Sequence, residues 1–231
     1  MSRAVLRRTG RRPGVRGVAA NARGGRCAGE ATLRSRDLEL LAWLGEQYGA
    51  RVDHLEALLD CGPRTVQRVV SRLRGAGLVT TPRLLVGDPA WVIPTSAGLR
   101  ICTQRFAVWH PRIGLLAHVG AVNEVRLHVQ RRSPESEWVP ERMLARERGP
   151  GEHLPDGVVV TEGRRVAIEV ELTVKSQCRV RSILDELSGR FDGVLYFCGP
   201  GPHRQLSQLA ELGQWPALGV RELPRLDATN A

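Results

Sequence analysis

Pro155-Asp156-Gly157-Val158-Val159-Val160-Thr161-Glu162-Gly163-Arg164-Arg165-Val166-Ala167-Ile168-Glu169-Val170-Glu171-Leu172-Thr173-Val174-Lys175 is the stretch on which the fold of this 231-residue chain turns. Two β-branched runs, 158–161 and 166–174, flank Glu162-Gly163-Arg164, and that pattern predicts an antiparallel hairpin. In the second run apolar residues alternate with Glu169, Glu171, Thr173 and Lys175, the period of a strand with one wet face. Pairing about the turn brings Asp156 close to Glu169 or its neighbour, because both lie about seven residues from its centre. Two carboxylates on one face, with an aspartate nearby, form a cradle for a hard divalent cation such as Mg²⁺. Lys175 is the one lysine among 34 basic residues. Unlike arginine, a partly buried ammonium can shift its pKa and act on a water or a leaving group. Solvation alone also places Glu, Thr and Lys on exposed strands; the position of Asp156 tips the reading toward a site.

Working outward, Trp109-His110-Pro111 breaks the preceding helix and marks a linker. A helix is predicted over 114–131, with Leu115, Val119, Val122, Val125 and Val129 as its stripe and His118, Asn123 and Glu124 elsewhere on its surface. A strand over 137–143 and a polar loop over 146–152 precede the hairpin. A helix around Ile183, Leu184 and Leu187, a buried strand over 193–198, a helix over 205–212 and a short strand over 220–223 follow it. His153, three residues before Asp156, is close enough to enter the acidic site as a base or a phosphate contact.

The front half reads differently. Ser35 caps a helix over 36–48, a second runs over 52–60, and Cys61-Gly62-Pro63 turns into a third over 64–74. That third helix buries Val66, Val69, Val70 and Leu73. Its other face carries Arg64, Thr65, Gln67, Arg68, Ser71 and Arg72, which can reach phosphates and base edges from a major groove. A strand over 78–86, a turn at Gly87-Asp88-Pro89-Ala90 and a return strand over 91–93 lead to a helix capped by Thr95.

Charge separates the two halves. Residues 1–30 carry eight arginines against one acid, a net of +7; residues 31–110 carry ten arginines against seven acids, a net of +3; the remainder balances at sixteen of each. The excess sits in front, where contact with a polyanion is expected. Arg, Gly and Ala dominate the first 30 residues, which read as a disordered basic tail through residue 34. No apolar run approaches the roughly 18 residues of a membrane span. The five scattered cysteines show no metal or redox spacing, so reduced thiols and a cytoplasmic location are expected. Nucleotide-binding loops and a Ser/His/Asp order are not present, which leaves ATP use, dinucleotide binding and esterase chemistry without support.

Three helices followed by a β-hairpin resemble the winged helix-turn-helix family over 35–108. The order α-β-β-β-α-β over 112–226 resembles the restriction-endonuclease-like PD-(D/E)xK core, making the whole an α+β chain of two domains. Pro155-Asp156 matches that family's first motif and Glu169 its acidic position in the next strand. The resemblance implies that Asp156 and Glu169 hold a divalent metal, and that a lysine two residues on activates water. Here that position is Glu171. Lys175 shares the face of Glu169 but lies about 20 Å along a straight strand. It approaches only if the chain bends after Thr173; Gln177 or Arg179 could otherwise complete the site.

The combination of a winged helix, His118, Asn123-Glu124, Pro155-Asp156-Gly157 and Glu169-Val170-Glu171 is similar to the replication-relaxation family. Its members are bacterial proteins linked to plasmid replication, mobilisation and DNA relaxation. The resemblance implies DNA as partner, together with plasmid replication or relaxase proteins. It leaves two activities open. One is Mg²⁺-dependent phosphodiester hydrolysis by Asp156, Glu169, Glu171 and Lys175; the other is a non-enzymatic regulator whose second domain serves homodimerisation or docking.

Overall fold

The computed structural model describes residues 33–102, 105–149 and 151–225; the expected basic tail lies outside them up to residue 32. Leu33 packs against the core and Arg34 is the N-cap of the first helix, so both belong to the folded unit. The described residues form eight helices and two sheets, an α+β protein. No helix among them is long and apolar enough to cross a membrane.

The first lobe runs α1 (Ser35–Glu46), β1 (Ala50–Arg51), α2 (Val52–Leu59), α3 (Pro63–Gly75), β2 (Val79–Thr80), β3 (Trp91–Pro94) and α4 (Ser96–Ile101). Pro63 opens α3, where its missing N–H is no loss, and the Thr95 side chain accepts from Gly98 N at 3.1 Å to cap α4. Val66 and Leu73 are fully buried, Val70 nearly so, and Val69 half-buried. The three short strands are antiparallel in the order β1-β3-β2. The strand expected over 78–86 ends at Thr80. Pro82 cannot donate to a ladder, its carbonyl instead accepts from Trp91 N at 3.0 Å, and the chain beyond it leaves the sheet as a loop. Gly49, at φ +107, leaves α1 so close to β3 that a Cβ would lie 2.8 Å from Val92 O.

The second lobe runs α5 (Ile113–Arg132), β4 (Glu137–Pro140), α6 (Glu141–Leu144), β5 (Gly157–Thr161), β6 (Arg164–Glu171), α7 (Gln177–Ser188), β7 (Gly193–Cys198), α8 (Pro200–Glu211) and β8 (Leu218–Glu222). Its five-stranded sheet has the order β4-β5-β6-β7-β8, antiparallel from β4 to β6 and parallel from β6 to β8. Glu162 and Gly163, both at positive φ, make the two-residue turn of the β5–β6 hairpin. Helix α5 covers one face through Val122 and Val125 against Ile168, Val170 and Phe197. Helices α7 and α8 cover the other through Ile183, Leu187 and Leu206 against Ala167, Val194 and Tyr196.

The lobes share α5. Leu127 is buried in the core of the first lobe, while Val125 is buried against the sheet. Arg51 binds Glu124 at 2.8 Å, Arg126 binds Glu46 at 2.7 Å, and Asn123 Nδ2 donates to Gly49 O at 3.0 Å. Trp109, in the segment read as a linker, packs its ring at a tilt of 53° against Tyr48, 5.9 Å away, and Trp91, 5.8 Å away. The surface position expected for Asn123 and Glu124 is therefore corrected: Asn123 is wholly buried and Glu124 is ion-paired. A helix between two cores has no fully wet side. The predicted stripe holds at Val119, Val122 and Val125, which are buried, and at half-buried Val129; only its first residue differs, with Leu116 buried in place of the exposed Leu115.

Candidate functional site

Helix α3 presents Arg64, Thr65, Gln67, Arg68 and Ser71 as exposed residues on one outward face. Arg72, expected among them, behaves differently. Its Nη2 lies 2.6 Å from Asp37 Oδ1, and Asp37 is buried in α1. Asp37 also accepts from Arg34 N at 2.9 Å. A carboxylate taken out of water needs such partners, so Arg72 fastens α3 to α1. Among the described residues neither Arg64 nor Arg68 makes an ion pair.

The acidic residues gather at one end of the five-stranded sheet. Pairing of Gly157 with Ile168 sets Asp156 opposite Glu169, and Asp156 Oδ2 accepts from Val170 N at 2.7 Å. Its Oδ1 accepts from His118 Nε2 at 2.8 Å. Glu169 Oε1 lies 2.8 Å from His153 Nε2, which brings His153 into the cluster as its spacing suggested. Glu171 Oε2 is 2.5 Å from Lys175 Nζ, and its Oε1 accepts from Thr173 N and Oγ1 at 3.3 and 3.4 Å. The chain does bend: β6 stops at Glu171, and Gln205 of α8 donates to Lys175 O at 2.8 Å, holding the turned segment. Gln177 and Arg179 remain exposed at the start of α7.

The wet strand face expected for Glu169 and Glu171 is overturned. They are 4% and 7% exposed, because α7 and α8 cover the face they share with Ala167, and they sit in register with Tyr196 and Cys198. Burial, with the charge of Asp156 adding, pushes the Glu169 carboxyl up to about 7, against the opposing pull of His153 and Lys175. Burial and the neighbouring Glu171 push the Cys198 thiol up to about 12. The Tyr196 phenol is raised by burial and by Glu169, Glu171 and Asp156.

Three further participants join the acids: His118, named from the sequence only as a helix-surface residue and in the family resemblance, and Glu141 and Tyr48, which the sequence leaves unmarked. His118 joins from α5, and its imidazole is held more basic than usual by the hydrogen bond to Asp156. Glu141, at the start of α6, has its carboxyl raised by burial and by the charge of Asp156. Tyr48, from the first lobe, donates to Glu141 Oε2 at 3.2 Å, and burial with Glu141 pushes its phenol up to about 12. Tyr48 occupies the left-handed region at φ 66, a conformation that costs a non-glycine residue about 1 kcal/mol or more. Its ring stacking, its bond to Glu141 and the Arg142 guanidinium 4.6 Å over its ring hold it there. The sequence signals the hairpin register of Asp156 with Glu169 and the i, i+3 spacing of His153 and Asp156, but nothing local joins residues 48, 118, 141 and 156.

Asp156 and Glu169 offer hard carboxylate oxygens, the donor type Mg²⁺ takes. Both oxygens of Asp156 and Oε1 of Glu169 are already hydrogen-bonded, so a cation there would compete with His118 and His153 for them. Among the described residues no three His, Cys, Asp or Glu side chains converge as a ready metal-ligand set. Comparison of the chain with protein-family models, with curated proteins and with solved structures finds no match.

Proposed function

We propose that this chain is a DNA-binding protein acting in plasmid replication, relaxation or mobilisation, with a winged helix-turn-helix over 35–108 and a restriction-endonuclease-like domain over 112–226. The observation that carries the reading is the division of labour on α3. Arg72 is consumed by Asp37, while Arg64, Thr65, Gln67 and Arg68 stand exposed, with no ion pair to either arginine among the described residues. Guanidinium and amide groups presented from one helix suit bidentate contacts to base edges and phosphates. The net +7 of residues 1–30 supplies further phosphate neutralisation, which is felt most at low salt.

The test is fluorescence anisotropy on duplex DNA at two salt concentrations. Arg64→Ala with Arg68→Ala should weaken binding and reduce the slope of log K against log salt by about 2, near 0.9 for each phosphate no longer neutralised. Unchanged affinity and slope would remove α3 as the DNA reader.

A second reading, phosphodiester hydrolysis, is favoured by one specific observation: the bend after Thr173 returns Lys175 to Glu171 beside the Asp156–Glu169 pair. In that reading Asp156 and Glu169 would hold Mg²⁺, which would polarise the phosphate and lower the pKa of a water. Glu171 positions the Lys175 ammonium, and His153 is hydrogen-bonded to Glu169 at 2.8 Å and orients its carboxylate. Lys175→Arg should then abolish cleavage although charge is kept, since guanidinium is planar, larger and does not release its proton. Absence of cleavage on supercoiled, nicked and single-stranded DNA with Mg²⁺ or Mn²⁺ leaves the second domain as a homodimerisation or docking surface for replication or relaxase proteins.

A further inference from the structure

Pro155, the residue before Asp156, also walls a cavity of about 150 Å³ that contains Arg148, Arg165 and Arg190, with Phe191 and Glu147. The three arginines come from separate segments: the loop before β5, the start of strand β6, and the residues just past α7. The Arg165 and Arg190 guanidinium carbons lie 5.3 and 5.5 Å from the centre of the Phe191 ring, so one aromatic side chain orients both. Arg190 already has counter-charges, with Glu152 at 3.2 Å and Glu186 at 3.3 Å, and it donates to His153 O at 3.0 Å. The nearby Asp192 carboxylate is engaged by the backbone N–H of Arg165 at 2.7 Å. Arg148 and Arg165 make no ion pair among the described residues, so the lining sets these two guanidinium groups, beside the ion-paired Arg190, against the one carboxylate of Glu147.

We propose that this cavity is a phosphate site that takes a backbone phosphate of a nucleic-acid strand and leads the strand toward the acidic cluster. Guanidinium forks fit phosphate oxygens in pairs, and two of these forks are held in place before any ligand arrives. The cavity adjoins the acids along the chain itself. Pro155 is bonded to Asp156, and Arg190 holds the carbonyl of His153, whose imidazole contacts Glu169. A strand anchored here contacts the second lobe independently of α3. The strand as ligand rests on the nucleic-acid reading above; the phosphate chemistry does not.

The test uses the full chain and two probes, inorganic pyrophosphate by calorimetry and a labelled duplex with a single-stranded tail by anisotropy. The pocket variant is Arg148→Gln with Arg165→Gln, which spares the ion-paired Arg190. The charge control is Arg132→Gln with Arg204→Gln, two exposed arginines outside the cavity. Pyrophosphate should bind saturably to the intact chain and to the control, and at least about tenfold more weakly to the pocket variant. The salt slope for DNA should fall by about 1 in the pocket variant, for the one phosphate no longer neutralised, and stay put in the control. Equal pyrophosphate binding by all three proteins, or none by the intact chain, would overturn the site. Loss of pyrophosphate binding with an unchanged DNA slope would overturn the nucleic-acid strand as its ligand. If Arg64→Ala with Arg68→Ala leaves DNA binding intact while the pocket variant loses it, the cavity stands and the α3 reading fails.

Discussion

Helix α3 and strand β6 handle charge in opposite ways. On α3, Arg64 and Arg68 are exposed and their charge is free for a polyanion. On β6, Glu169 and Glu171 are buried, and each has been given a partner, His153 and Lys175. An exposed cation needs no compensation because water solvates it; a buried carboxylate demands hydrogen bonds or a shifted pKa. The first surface is ready for a ligand as it stands. The second is internally balanced, so anything that binds there must exchange with the groups already present. Arg72 is the intermediate case, lying on α3 but committed to a buried acid as the β6 residues are to their partners.

Helix α5 joins the two lobes. Leu127 belongs to α5 but is 2% exposed in the core of the first lobe. Leu127→Ala should cost about 3 kcal/mol in urea unfolding, the usual loss for a buried leucine truncated against surroundings that relax only partly. A loss under about 1 kcal/mol would mean that α5 does not carry the first lobe's core.

Arg72→Ala sharpens the contrast within α3. It strips an ion partner from Asp37, which is 3% exposed; since the Arg72 side chain is 30% exposed, the loss should be about 2 kcal/mol, below the range for fully buried pairs. Arg68→Ala, at an exposed position, should change stability by less than about 0.5 kcal/mol while weakening DNA binding. Equal thermal stability of these two variants would erase the distinction.

A last effect is pH-dependent. The Glu169 carboxyl rises from its ordinary 4.5 to about 7 on folding. The folded state therefore holds that proton more tightly than the unfolded state. The stability linked to it is complete below about pH 4.5 and is lost as pH climbs through about 7. Melting temperature should decline across that window, and Glu169→Gln should flatten the decline. Some slope should persist from His118, whose raised imidazole acts in the same sense. An identical pH profile for the intact chain and Glu169→Gln would show that Glu169 does not titrate there.

Much of the fold was legible locally. The hairpin around Glu162-Gly163 follows from two β-branched runs and a turn whose two residues lie at positive φ. The buried side of α3, its opening proline and the Thr95 cap follow from spacing and from backbone groups that need partners. The pairing that sets Asp156 opposite Glu169 follows from counting outward from the turn. These features depend on residues a few positions apart or on one hairpin register.

Periodicity and turn residues place most of the helices and strands and tell which residues share a face, although the strand read over 78–86 stops at Thr80 and that over 137–143 gives way to α6 after Pro140. The tertiary structure alone decided which faces stay wet. Period two reports that Glu169 and Glu171 point the same way, but only the arrival of α7 and α8 buries them. The same holds for α5, whose sides meet two different cores. The pairings of His118 with Asp156 and Arg72 with Asp37 join residues 38 and 35 positions apart, and the Lys175–Glu171 contact depends on where β6 stops. Periodicity is a property of one segment; burial and ion pairing are set by the segments that pack against it.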